Sequence, residues 1–175
     1  MKKIMSLALM GSLFISATLF AQQEDKSKRP SPPVKVSETL KSGAVITIDY
    51  SAPSLKGRVI GKDVEPKTGV IWRAGANEAT VFETSKAIQV EGKSLAAGKY
   101  AFFVLCGENG DCTLIFNKNS NQWGAYDYKQ TEDALRVTVK SGKSANNVDK
   151  LAYSIGKDGH VSLNWGTMEI GFKAQ

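Results

Sequence analysis

Histidine is nearly absent from this chain: His160 is the only one among 175 residues. Cysteine occurs twice, as Cys106 and Cys112. No His, Cys and acidic residues fall at the spacing of a metal site, so no metal and no cofactor is expected. Gly-x-Ser-x-Gly and phosphate-cradling glycine loops are missing too, which removes common routes to acyl-transfer and nucleotide chemistry. Basic residues are interleaved with acids along the body of the chain, whereas nucleic-acid binding needs them clustered on one face. No nucleic-acid partner is expected. Only one long apolar run exists, from about Ile4 to Phe20.

That run sets the compartment. Lys2 and Lys3 precede it, Ala21 closes it, and Gln22, Gln23, Glu24, Asp25 and Lys26 follow. A positive start, an apolar middle and a small residue at the exit form a secretory signal peptide. Cleavage is expected after Ala21. The rival reading is a retained anchor, but the run is at the short end for spanning and no basic stop follows. The mature protein is then periplasmic or extracellular, with no membrane span. The formal charge of +6 includes Lys2 and Lys3, so removing those two leaves +4. Residues 22–33 are polar and Pro-rich and bury too little apolar surface to offset their ordering, so a disordered tether is expected there. A single domain of ordinary size follows over 34–175.

Cys106 and Cys112 would meet in an oxidising compartment. A three-residue loop of Glu108, Asn109 and Gly110 puts Gly107 opposite Asp111 and Cys106 opposite Cys112. A cross-strand disulfide is expected. The spacing is not Cys-x-x-Cys, and nothing nearby would lower a thiol pKa, which argues against redox catalysis.

The body reads as short strands. Ala44, Ile46, Ile48 and Tyr50 alternate with Thr47 and Asp49. Leu135–Val139, Leu151–Ile155, Val161–Trp165 and Met168–Phe172 share the same period of two, the mark of half-buried strands. Tyr100–Leu105 and Leu114–Phe116 are nearly continuous apolar runs, as in central strands. Turns are expected at Glu91-Gly92-Lys93, Ala97-Gly98-Lys99, Ser141-Gly142-Lys143 and Lys157-Asp158-Gly159. One helical turn is expected in Gln130–Ala134, started by Thr131. The pattern predicts an all-β domain, an antiparallel β-sandwich or jelly roll with little helix. Ala52–Gly69 and Asn117–Gln130 are its long connections, where functional residues concentrate.

The string Val-Ile-Trp-Arg-Ala-Gly-Ala-Asn-Glu-Ala-Thr over Val70–Thr80 is distinctive. With Tyr50-Ser51-Ala52-Pro53, Lys56-Gly57-Arg58, Gly92-Lys93, Ala97-Gly98-Lys99-Tyr100, Ile115-Phe116-Asn117-Lys118, Trp123-Gly124-Ala125-Tyr126 and Leu135-Arg136-Val137, it resembles an exported bacterial family, domain of unknown function 2911. The resemblance spans nearly the whole domain. It implies an exported, all-β protein and no established reaction, cofactor or partner. The cysteine hairpin departs from the pattern usual there, so the disulfide reads as a local staple.

Candidate site residues come from the same string. Trp72 and Arg73 point to opposite faces of a strand. Trp72 reads as core, which leaves Arg73 facing solvent, a carboxylate or a cavity. Gly75 and Ala76 allow a tight bend or close backbone approach. Asn77 can hold the loop or bind a ligand hydroxyl. Glu78 can pair with Arg58, Arg73 or Arg136 as a buried ion pair, or serve a ligand. Trp123, Tyr126 and Tyr128 offer amphipathic rings on a loop. His160 lies in a turn and reads as exposed.

The leading expectation is a non-catalytic binding module with a polar pocket near Arg58, Arg73, Asn77 and Glu78, rimmed by Trp123 and Tyr126. Its ligand would be a glycan, a peptide or a small anion. The enzyme alternative is a glycosidase-like hydrolase using Glu78 with Asp127 or Asp133. A third reading is a structural or interaction protein of the cell envelope, working through a sheet edge or the tether.

Overall fold

The computed structural model describes residues 25–175. The signal peptide expected over 1–21 and the first three tether residues lie outside the described part. The chain folds into β1 (Pro33–Thr39), β2 (Val45–Ser51), β3 (Ile71–Trp72), β4 (Ala76–Thr84), β5 (Ile88–Val90) and β6 (Lys93–Leu95). These are followed by β7 (Gly98–Cys106), β8 (Asp111–Asn117), β9 (Asp133–Ile155) and β10 (His160–Lys173). Among the described residues the helical content is two 3-10 turns, Lys26–Lys28 and Gln130–Glu132. The fold is all-β and antiparallel, as the alternation predicts.

The main sheet has the order β1-β2-β4-β7-β8-β9-β10, with β3 also paired to β7. The small sheet is the β5–β6 hairpin. β9 is long enough to serve two neighbours. Its start pairs with β8 up to Lys140, and from Ser141 onward it pairs with β10. This lets the β9–β10 ribbon fold back over the face of β2, β4 and β7. Tyr50 then meets Tyr153 with ring centroids 4.7 Å apart, and Phe102 meets Phe172 at 5.8 Å. Ile46, Ile48, Phe82, Phe102, Leu114, Phe116, Leu151, Leu163 and Ile170 fill the space between, all sealed from solvent. The result is a curled, sandwich-like core built from the inward-facing half of each alternating strand.

The outer face of the sheet is covered more thinly. Ala79, Ala101, Phe103 and Ile115 are buried there beneath the 118–132 connection. Tyr128 of that connection packs edge-on against Phe103 at 5.4 Å. Backbone bonds from Ala79 N to the Gln122 carbonyl and from Gly124 N to the Asn77 carbonyl stitch the connection to the start of β4. The long loop therefore reaches the Val70–Thr80 string.

Cys106 pairs with Cys112 across β7 and β8, and a disulfide joins them. Gly107 N donates to the Asp111 carbonyl, and Gly110 takes a positive φ of 74°. This is the register expected from the three-residue loop.

Two local expectations are corrected. Ser141-Gly142-Lys143 is not a turn but the middle of β9, with Ser141 opposite Ile170 and Gly142 opposite Glu169. Pairing with β10 overrides the local turn preference. Thr131 does not start the helical turn. Lys129 holds the capping position and makes no side-chain bond there. The described part of the expected tether, 25–33, lies against the domain. Pro33 opens β1, and the Pro32 carbonyl accepts from Ala52 N.

Candidate functional site

The Val70–Thr80 string reverses direction between β3 and β4. Ala74 and Asn77 both sit in the left-handed region, at φ 50° and 57°. Asparagine tolerates that conformation better than most residues. At Gly75 a Cβ would lie 2.8 Å from Thr80 Oγ1 and 3.1 Å from the Ser51 carbonyl. Only glycine fits so close an approach. The bend turns the Asn77 carbonyl toward Arg73, whose Nη1 donates to it at 2.8 Å. Asn77 Nδ2 donates in turn to the Ser31 carbonyl at 2.9 Å. Asn77 thus ties the bend to the segment before β1.

Arg73 is aimed into a cavity of about 510 Å³. Ligand sites occupy roughly 300–1,000 Å³, so a small molecule fits. Trp72 and Trp165 form its floor, and Arg58, Glu65, Val70 and Tyr126 stand around it. The two indoles stack with centroids 5.8 Å apart and planes 13° apart. Tyr126 is 80% exposed at the rim. Arg58 is held by its own loop, Nε donating to the Leu55 carbonyl and Nη2 to the Ser54 carbonyl. Among the described residues, neither Arg58 nor Arg73 forms an ion pair. Two guanidinium groups with donors bound only to backbone carbonyls, against the single Glu65 carboxylate, give the cavity wall a net positive charge.

Asn77, Glu78 and Trp123 do not line this cavity. Glu78 and Trp123 face each other in a bridge on the neighbouring surface. The Glu78 carboxylate meets Lys26 Nζ at 2.8 Å and Arg29 Nη1 at 3.0 Å through both oxygens. The Arg29 guanidinium also lies 5.8 Å above the Trp123 ring. Burial pushes the Glu78 carboxyl up, but hydrogen bonds from Lys26 and Arg29 outweigh that and bring it down to about 2. The pairing with Arg58, Arg73 or Arg136 considered from sequence is corrected: the partners come from the segment before β1.

Arg136 has its own acid. Its Nη1 donates to Asp133 Oδ2 and to the Tyr128 hydroxyl, and Tyr128 donates to the same oxygen. Asn117 Nδ2 fills Asp133 Oδ1. Burial, then the bond to Asp133, raises the Tyr128 phenol above its ordinary value. Of the carboxylates considered for a hydrolase, Glu78 and Asp133 are thus committed to cations, while Asp127 is exposed and does not line the cavity. Among the described residues, Glu65 is the one carboxylate lining the cavity. Two-carboxylate glycoside chemistry has no pair to work with there. Near the other end, Ser162 Oγ lies 3.0 Å from His160 Nε2 and 3.3 Å from Glu169 Oε1. Serine stands between the other two, whereas a nucleophilic triad needs the imidazole in the middle.

Residues 31–174 match the family described as Protein of unknown function (DUF2911). The chain belongs to this family. No curated protein and no solved structure matches it. The DUF2911 description names no reaction or ligand, so the chemistry rests on the geometry. The matched span takes in the Trp floor, both cavity arginines and the bend.

Sequence reasoning missed Trp165, Lys26 and Arg29. Trp165 reads as one more inward residue of an alternating strand, and nothing in its neighbours marks it as a cavity floor. Lys26 and Arg29 sit in a polar, aperiodic stretch that carries no positional signal. Trp72 is both core, as expected, and cavity wall.

Proposed function

We propose that this domain is a non-catalytic binding module that takes a small anionic ligand in the cavity floored by Trp72 and Trp165. The observation that carries this reading is the pair Arg58 and Arg73, which face the cavity without an ion-pair partner among the described residues. A guanidinium fork matches a carboxylate, and the exposed Tyr126 ring at the rim suits the apolar face of a sugar ring. An acidic sugar satisfies both. The leader-like N-terminus and the Cys106–Cys112 bond support action outside the cytoplasm.

The test is titration of the mature protein with glucuronate and with glucose, followed by tryptophan fluorescence. Glucuronate is expected to shift the signal and glucose to do so at least tenfold more weakly. Arg73→Gln should weaken glucuronate by tenfold or more while the protein still melts cooperatively, its stability lowered by no more than the lost bond to the Asn77 carbonyl, about 1 kcal/mol. Equal response to both sugars, or no response up to tens of millimolar, overturns the reading.

A further inference from the structure

The six residues singled out from sequence as one site divide into two sites of opposite sign. Arg58 and Arg73 face an anion-sized cavity. Glu78 and Trp123, opposite each other in a backbone bridge, present a carboxylate and an indole ring that both meet the Arg29 guanidinium. A carboxylate beside an indole ring is a natural seat for a guanidinium, which can donate in a fork while lying over the ring. That seat is filled by the chain itself. The Arg29 side chain is only 14% exposed there, while Lys26, bound to the same carboxylate, is 54% exposed.

The occupant is a loosely built element. Residues 25–32 join no strand, and the 3-10 turn at Lys26–Lys28 buries none of its residues. Its attachments to the domain include Lys26 and Arg29 on Glu78, Arg29 over Trp123, and the Ser31 carbonyl on Asn77. The first firm anchor is at Pro32, whose carbonyl accepts from Ala52 N just before β1 begins. Segments with few buried apolar contacts open at low free energy.

We propose that the Glu78–Trp123 surface pair is a receptor for a basic peptide segment with Lys and Arg three residues apart, and that Lys26–Arg29 is its exchangeable ligand in cis. This site adjoins the cavity of the proposed function, whose wall includes Ser31 of the arm, but Glu78 and Trp123 do not line that cavity and the inference does not rest on its ligand. Release at Pro32 would free residues 25–31 as one arm. It would expose a carboxylate and a half-exposed indole to another segment of the same chemistry.

The test uses the full mature chain and a synthetic peptide carrying the sequence of residues 25–33. In Lys26→Ala/Arg29→Ala the arm can no longer hold Glu78, and the peptide is expected to bind, read by Trp123 fluorescence and calorimetry. In the wild type the attached arm competes at an effective concentration in the millimolar range. At least tenfold more peptide should be needed there. Adding Glu78→Gln to the double variant should cost a further tenfold or more. A peptide with the residues equivalent to Lys26 and Arg29 replaced by alanine, and Lys28 kept, should not bind. The proposal fails if the double variant melts like the wild type and binds no peptide, or if Glu78→Gln leaves binding unchanged. It also fails if the double variant unfolds, since the arm would then be part of the fold.

Discussion

Trp72 and Trp165 stack almost parallel, 5.8 Å between ring centroids, one from the short β3 and the other from the β9–β10 ribbon. The contact closes the curled sheet on itself and also makes the cavity floor. Cavity floor and core are therefore the same residues here. Trp165→Ala is expected to cost about 3–5 kcal/mol, as for other buried tryptophans. Tyr126→Ala, at the exposed rim, should change stability by no more than about 0.5 kcal/mol. Urea melts of the two variants would check this. Similar losses in both would show that the rim ring supports the fold.

Gly124 ties the aromatic loop to the cavity. Its φ is 63°, and a Cβ there would lie 2.7 Å from Arg73 Nη1. Gly124→Ala should therefore push the guanidinium off the Asn77 carbonyl and strain the loop, with a stability loss on the order of 1 kcal/mol. Glucuronate binding should fall more than the melt does. A variant that binds normally would show that Arg73's position is not set by this contact.

The strand frame was legible because each inward residue repeats at a period of two. Ile46, Ile48 and Tyr50 carry that signal without any tertiary knowledge. So does the Cys106–Cys112 register, which a three-residue loop fixes by itself. The site was legible only as a set of residue types. Arg58, Arg73 and Tyr126 come together because the Ala52–Gly69 connection, the bend and the 118–132 connection converge, and loop paths leave no periodic trace. Glu78 was recognisable as needing a cation. Which cation depended on where residues 25–31 lie, and their composition alone pointed to disorder.

The disulfide closes a loop of sequence separation six at the end of the β7–β8 pair. Loop-closure entropy for so short a ring is about 2–2.5 kcal/mol. Reduction should then lower the melting temperature by about 4–10 °C for a domain of this size. Pairing from Ala101 to Leu105 continues inward of the bond, so the reduced protein should still fold. A thermal scan with and without reductant checks both statements. Unfolding on reduction at room temperature would make the bond essential.

Glu78 gives the domain an acid-sensitive contact whose sign follows from its pKa. The carboxyl is held at about 2, below its ordinary value of 4.5. A depressed folded-state value means that the charged form favours the folded state. The contribution is complete above about pH 4.5 and disappears as pH falls through 2. The side chain is 37% exposed, so solvent and salt screen the pair and its size should be no more than about 1 kcal/mol. The wild type should exceed Glu78→Gln in stability at pH 7, and the gap should close as pH approaches 2. High salt at pH 7 should shrink it as well. Urea melts of both proteins at pH 7, 4 and 2 give the comparison. A gap that stays constant across that range would mean that the carboxylate's charge does not hold Lys26 and Arg29, and that packing of Arg29 on Trp123 does.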